Sequence, residues 1–558
     1  MTIPKSTRSL ILGQLALPLV LLVLGIYHGL MQTLYRAGII RASSFLGLEY
    51  YQGLTAHGVI NAVVLTTFFA VAFGNALVCS LLGMPIVTPL AVGSFILMTI
   101  GTLMVALTIL SGHGSVLYTF YPPLKAHPIF YLGLALFVVG SWLAFYAWIP
   151  AYRRWRKINP GEKTPLAVVG IFSTFIVWQI ATLPVAYEVL VMLLPWSLGW
   201  TADINVTLAK TLFWFFGHPL VYFWLLPTYV MYYTMLPRLA GGKLFSDFGG
   251  RLSFLAFCVL SSPLGLHHQY SDPGIASQWK ALHAVLTSLV AIPSLMTAFT
   301  VAASLEHGAR ERGGTGLFAW WGRLPYFEVD RWLFPYLFCG LVIFIFGGIT
   351  GVVNASYGMN MVIHNTAWIP AHFHLTVGGP VFLGILGMSL YLVAGLTGKK
   401  IAAPKAALAV PYLWMAGLFI LSGAMFIGGL EGEPRRTNLG LSYLNPGSAA
   451  YRPEWLLTSQ IAVIGGIVMT LAIVVYFYTL IKTALGPSSE TEANRFEFPI
   501  ATPYHDENVG AVKNFMPWLI AAVVACIIAY TPPLYQIYQG NYQNAPGYTP
   551  DSPVPITK

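Results

Sequence analysis

The chain has 558 residues, 57% of them hydrophobic and only 9% charged, with a mean hydropathy of +0.70. Soluble domains carry about 25% charged residues, so a water-soluble globular protein is excluded. The net charge of +10 does not call for nucleic acid as a partner, because its placement follows membrane loops.

Thirteen apolar stretches of about 20 residues or more follow one another. They lie near 10–30, 55–79, 87–111, 129–150, 166–195, 208–236, 252–270, 281–304, 333–353, 368–395, 406–430, 456–482 and 514–533. Open strands cannot cross a bilayer, and the alternation of a closed barrel is missing, so these stretches predict helices. The fold class is all-α, a polytopic membrane bundle, and residues 1–558 form one domain. Connections are short, the longest near 305–332, 431–455 and 483–513, and no internal repeat stands out. Residues 534–558, rich in Gly, Pro, Gln and Asn, predict an extended tail at the outer surface.

Lys5 and Arg8 lead straight into the first stretch, which fits a retained span rather than a cleaved signal. Cys79, Cys258, Cys339 and Cys526 all fall in apolar runs, and no C-x-x-C occurs. Neither a c-type haem attachment nor a thiolate metal site is therefore encoded. With the N-terminus inside, about twenty of the 29 Lys and Arg fall in inner loops, among them Arg153, Arg154, Arg156, Lys157 and Lys163. Arg435, Arg436 and about seven others fall outside. That asymmetry predicts an N-terminus in the cytoplasm and a C-terminus outside.

On this frame six histidines share one depth, nearer the outer face. His57 is near the outer end of the second stretch, and His218 is in the outer half of the sixth. His267 and His268 close the seventh, and His372 and His374 begin the tenth. Ionisable rings inside a membrane are costly and usually functional. His372 and His374 point about 160° apart on a regular helix, so they serve different centres. His218 and Tyr222, at i and i+4, share a face. Pro263 and Gly265 permit the distortion that His267 and His268 need to converge. Three neutral imidazoles with an open position suit copper or zinc, and copper is the redox-active choice. One or two axial imidazoles suit haem iron. His57 and one of the tenth-stretch pair could bind one haem, and the other could hold a second haem facing the copper. His28, His113, His127, His283, His307 and His505 show no partner spacing and read as loop or packing residues.

His57, the run WFFGHPLVY at 214–222, the pair at 267–268 and HFH at 372–374 together resemble the catalytic subunit I of haem–copper oxygen reductases, the respiratory terminal oxidases. The resemblance covers nearly the whole chain. It implies reduction of dioxygen to water, with two haems and one copper, CuB, as cofactors. It implies that His57 and His374 ligate a low-spin haem and His372 a high-spin haem. His218, His267 and His268 then hold CuB, and Tyr222 becomes cross-linked to His218. Leu220 stands where A-type enzymes carry Glu, and YTFYPP at 118–123, PSLMTAFTVAAS at 293–304 and HNTAW at 364–368 agree with the B-family or ba-type. A low-spin haem b and a high-spin haem of a or o type are expected for that subtype. Cofactor contacts are expected from Trp214, His364, Asn365, Arg435 and Arg436. The paired guanidiniums suit haem propionates. Asn360 stands where related oxidases carry Asp, and an amide takes up no proton near neutral pH.

Tyr222, Tyr229 and Tyr233 form one stripe, and Ser294, Thr297 and Thr300 repeat every three residues. With the resemblance these predict a single K-type proton channel from the inner side, coupled to proton pumping. The implied partners are a subunit II carrying CuA, a small single-helix subunit, cytochrome c as donor, and the lipid of a prokaryotic plasma membrane. The competing expectations are a nitric oxide reductase with non-haem iron, a cofactor-free proton-coupled transporter, and a b-type carrier without copper.

Overall fold

A backbone in lipid must satisfy its own N–H and C=O groups, and the apolar stretches accordingly become helices. The computed structural model describes residues 3–41, 48–540 and 544–547. Among these, thirteen helices overlap the thirteen apolar stretches. They are α1 (Lys5–Arg36), α2 (Tyr50–Leu82), α3 (Thr88–Leu110), α4 (Pro128–Ile158), α5 (Leu166–Ser197), α6 (Val206–Thr234) and α7 (Asp247–Leu260). They continue with α8 (Ser277–Glu311), α9 (Leu333–Ala355), α10 (Trp368–Thr397), α11 (Pro404–Leu430), α12 (Trp455–Ala484) and α13 (Met516–Gln539).

Eleven of these are long and apolar enough to cross a membrane. The exceptions are α6 and α7. Helix α6 spans 29 residues, but its Trp, Tyr, His and Pro content lowers its hydropathy. Helix α7 has only 14 residues. The seventh apolar stretch predicted a helix to 270, and this needs correction. The helix stops at Leu260, and Ser261 to Gly265 run irregularly into a 3-10 turn, Leu266–Gln269. Pro263 lacks an N–H and clashes with the preceding turn, so a regular helix cannot continue.

The C-terminal expectation is also corrected in part. Helix α13 does not end at Pro533 but carries Pro532 and Pro533 inside it and continues to Gln539. Asn544–Pro546 is extended and pairs antiparallel with Asp203–Asn205, the loop before α6. The rest of the proposed tail lies outside the described residues.

Burial sorts the helices into two sets. The most apolar windows of α2, α5 and α10 are 89%, 83% and 78% buried, against 33% for α3, α8 and α9. Helix α6 is buried along almost its whole length, from Ala209 to Thr234. The inner set therefore carries His57, His218, His372 and His374, and the outer helices insulate it. Three π-helical stretches fall on inner helices, at Val59–Val64, Glu188–Leu193 and His374–Val381. Two of them adjoin the histidines of α2 and α10, and such bulges are frequent at functional sites.

Small residues let the outer helices close on one another. A Cβ at Gly101 of α3 would sit 2.5 Å from the Gly133 carbonyl of α4, and one at Gly133 would sit 2.9 Å from the Gly101 carbonyl. Backbone on both sides leaves nothing to yield. Gly101→Val should therefore cost about 2–3 kcal/mol by overpacking. The expected result is a lower midpoint in thermal inactivation of the purified complex, with the haem spectrum unchanged before heating.

Candidate metal and haem centres

Two helical elements bring three imidazoles to one point. His218 comes from the middle of α6, and His267 and His268 come from the 3-10 turn beyond α7. Their ligand nitrogens all lie within 4.8 Å of one another. Nδ1 of His218 is 3.2 Å from Nε2 of His268. Two imidazole nitrogens each about 2.0 Å from one small ion would be separated by about this much. No carboxylate belongs to this cluster among the described residues. The His267 ring is fixed by Thr287 of α8. Thr287 Oγ1 donates to the His283 carbonyl at 2.6 Å, so it accepts from His267 Nδ1–H at 2.9 Å. That tautomer leaves Nε2 of His267 with its lone pair free for a metal. Trp214, one turn before His218, stacks on His268 with centroids 3.7 Å apart and planes 11° apart.

Tyr222 stands one turn after His218, with ring centroids 5.1 Å apart and an interplanar angle of 61°. Nε2 of His218 is buried and has no hydrogen-bond partner among the described residues.

His372 and His374 leave α10 toward different neighbours, as their spacing requires. His372 Nδ1 lies 3.0 Å from Thr350 Oγ1 on α9. That hydroxyl already contacts the carbonyls of Phe346 and Gly347, so it accepts from the imidazole. His374 Nδ1 donates to the Pro370 carbonyl at 2.7 Å, and His57 Nδ1 donates to the Gly25 carbonyl at 2.8 Å. In all three rings Nε2 is left free to ligate. The His57 and His374 rings face each other with centroids 6.3 Å apart and planes 24° apart. An axial imidazole bonded at about 2.0 Å puts its ring centre roughly 3 Å from iron, so this separation fits one metal between two rings. Gly29 of α1 makes the room, since a Cβ there would lie 2.7 Å from His57 Cε1.

A mainly apolar cavity of about 310 Å³ runs from this ring pair to Arg435 and Arg436. At its outer end two loops are tied by an antiparallel bridge between Thr366 and Pro434, with Ala367 N–H donating to the Glu433 carbonyl at 2.7 Å. Asn365 and Arg436 both adopt left-handed backbone, at φ 60° and 57°. Such strain in non-glycine residues clusters at ligand clamps. Arg435 donates to Asn365 Oδ1 at 3.2 Å, and Arg436 reaches Thr119 at 3.1 Å and Tyr118 at 3.3 Å. Burial and the adjacent Arg436 pull the Arg435 guanidinium down to about 9. Burial, then Arg435, hold His364 down at about 4. Crowded cations of this kind suit a ligand that brings carboxylates, as haem propionates do. His364 Nδ1 lies 3.2 Å from Asn360 Oδ1, and Asn360 Nδ2 donates to the Asn354 carbonyl at 2.7 Å. The histidines and the arginine pair therefore fit two haems and one copper.

The sequence model of the family described as cytochrome c and quinol oxidase polypeptide I matches residues 10–498. The chain belongs to that family. This haem–copper oxidase subunit I is 42% identical to cytochrome c oxidase subunit 1 of Thermus thermophilus, over 90% of this chain and 88% of that one. It is 26% identical to a heme-copper oxidase subunit I+III of Aeropyrum pernix, over 81% of this chain and 55% of that one. Its structure is similar to that of a heme-copper terminal oxidase dimer solved by cryo-EM. That likeness has a TM-score of 0.96 and 49% identity, and covers 99% of this chain and 96% of that one. The chain is thus the catalytic subunit of a terminal oxidase and a multi-pass membrane protein, and the family implies haems and CuB.

The expected proton path is only partly joined in this oxidase subunit. Tyr233 OH donates within a knot of hydroxyls, 2.9 Å from both Ser253 Oγ and Thr297 Oγ1. The Ser294 hydroxyl lies beside Tyr229 and that of Thr300 beside Tyr233. Tyr222 and Tyr229 do not meet directly, and both pack against Phe257, with centroids 5.4 and 5.6 Å away. Sequence reasoning missed Ser253, Thr287 and Thr350. Each is a lone hydroxyl whose partner sits on another helix. Thr350 and Thr287 lie one turn or more from any histidine motif, so only the packing exposes them.

Proposed function

We propose that this oxidase subunit reduces dioxygen to water at a centre whose copper is held by His218, His267 and His268 and whose haem is held by His372. Four electrons and four protons convert each O2 to two waters. When bound, the haems and copper supply the electron transfer and the oxygen chemistry. His57 and His374 would hold the low-spin haem. Arg435 and Arg436 pair with propionates, with Asn365 orienting Arg435 and His364 beside them. Trp214 holds the His268 plane. Tyr222 places a hydroxyl at the edge of the copper site. A C–N bond between His218 and Tyr222, formed with loss of two protons and two electrons to oxygen, would fix it there. The proximity of the two rings and the unpartnered Nε2 of His218 support that link.

The subtype reading is B-family, with haem b in the low-spin site and a haem of a or o type in the high-spin site. Protons enter by one route through Thr300, Thr297, Tyr233, Ser294 and Tyr229 to Tyr222, and some are pumped. Asn360 carries no proton on that route. A CuA subunit fed by cytochrome c supplies electrons, accompanied by a small single-helix subunit. The N-terminus faces the cytoplasm of a prokaryotic cell, and the C-terminus faces outward. Ion pairs support the sorting of loops into two sides by joining residues assigned to one side. Arg8 pairs with Glu490 and Lys163 with Asp506 inside, and Arg36 pairs with Glu433 and Lys210 with Asp272 outside.

The observation that carries the reading is the three-imidazole cluster on one side of α10 combined with the facing ring pair on the other. Pyridine haemochrome spectra with iron and copper quantitation test it. Two haem irons and one copper per chain are expected beyond the copper that the CuA subunit holds. Iron in place of the copper would favour the nitric oxide reductase reading, and a colourless protein would favour a transporter. A haem protein without copper would favour a simple electron carrier.

Thr297→Val keeps the shape of the side chain and removes the hydroxyl beside Tyr233. One lost hydroxyl breaks a shared network, so turnover should fall on the order of tenfold or more. Stopped-flow proton uptake should slow in step, while haem and copper content stay at the wild-type level.

A further inference from the structure

His283 lies on α8, outside every motif described above, and is fully buried. Its two nitrogens are both engaged, by groups that breaks in helices have freed. Where α7 fails at Pro263, the N–H groups of Gly265 and Leu266 lose helical partners. Both turn to His283 Nδ1, at 3.0 and 3.3 Å. Nδ1 must therefore accept, and Nε2 carries the proton. Nε2–H donates to the Ala529 carbonyl on α13 at 3.1 Å. That carbonyl is available because Pro533, four residues on, has no N–H to fill it. One turn further along α8, Thr287 links the His283 carbonyl to His267 Nδ1. Gly265 itself admits no side chain, since a Cβ would collide with the Trp214 carbonyl and the Tyr530 hydroxyl.

We propose that His283 is a positioning residue for the copper site, clamping the turn that carries His267 and His268 against α13 through the carbonyl that Pro533 leaves free. It touches no metal. It fixes the backbone entering the ligand pair, while Thr287 fixes the ring of His267. The two together make α8 the template on which that half of the site is set. This rests on the reading of His218, His267 and His268 as a copper site.

The test uses the intact purified oxidase complex and measures, beyond the amount that the CuA subunit holds in every variant, copper per haem and the rate at which a copper(I) chelator removes copper from the reduced protein. His283→Leu should lose copper or release it at least tenfold faster, with both haems still bound. His283→Asn restores an acceptor near the Nδ1 position and should recover most of the wild-type retention. Pro533→Ala returns an N–H to α13 that competes with His283 for the Ala529 carbonyl. It should speed copper release severalfold even though it removes a proline from a helix and leaves thermal stability equal or higher. Wild-type release from His283→Leu would overturn the proposal, as would equal release from the Leu and Asn variants. If the Leu variant fails to assemble, wild-type release from Pro533→Ala would overturn it alone. A wild-type complex that contains no copper beyond that of the CuA subunit would sink the copper-site reading itself, which separates the two failures.

Discussion

Tyr222→Phe should leave an oxidase that binds both haems and copper and yet hardly consumes oxygen. The substitution removes one oxygen atom from a ring that stays packed against Phe257 and one turn from His218. Nothing in the fold depends on that hydroxyl, since none of its hydrogen bonds joins two helices among the described residues. Its loss withdraws the hydroxyl of a ring whose centroid lies 5.1 Å from that of His218. Removing a positioned proton donor typically costs 10²–10⁴-fold, so turnover should drop by roughly 10²–10³-fold. An oxygen electrode reads the rate, and haemochrome and copper analysis show that the centres persist. Mass spectrometry adds a second reading. The wild-type peptide spanning His218 and Tyr222 should be lighter than its sequence by two hydrogens, and the Phe variant should not be. A variant with more than half the wild-type rate would remove Tyr222 from the chemistry.

The second large effect separates two residues that are neighbours in sequence. His374→Ala should abolish turnover by emptying the low-spin site while sparing the other haem and the copper. His372→Ala should do the reverse to the haems. The reasoning is directional. His374 faces His57 of α2 across 6.3 Å, whereas His372 is tied to Thr350 of α9 on the opposite flank of α10. Each imidazole is thus held by its own second partner, and removing one ring leaves the other oriented. Reduced-minus-oxidised spectra should show loss of the low-spin band in one variant and loss of carbon monoxide binding in the other. Iron should fall by one atom per chain in each. The same spectral loss in both variants would mean that the two rings share a centre.

Much of this is legible in the sequence alone. Thirteen apolar stretches set the helices, and the shared depth of six histidines set the site, because membrane thickness converts sequence position into height. The i, i+4 spacing of His218 and Tyr222 and the two-residue spacing of His372 and His374 gave faces as well. What the spacing could not give was anything resting on partners far apart in the chain. His283 looked idle, yet its acceptor carbonyl comes from a residue 246 positions away. Hydropathy stays high through Leu264 and Leu266 and so predicts too late an end for α7, while the backbone obeys Pro263. Pro532 and Pro533 predict too early an end for α13, because there they are carried inside a helix braced by neighbours. A proline thus stops one helix and leaves another running, where the His283 side chain takes up the Ala529 carbonyl.

The π-helical stretches have a consequence for how this subunit tolerates change. Val59–Val64 follows His57 directly, and His374–Val381 begins at the other member of the facing pair. Each widened turn accommodates a surplus residue and so sets the azimuth of its histidine apart from that of the helix beyond. Deleting any single residue in either stretch would yield a tidier helix whose downstream packing is undisturbed and whose imidazole is swung by about 100° away from its counterpart. Insertions and deletions there, however conservative in composition, are therefore the lineage changes this fold should refuse most strictly.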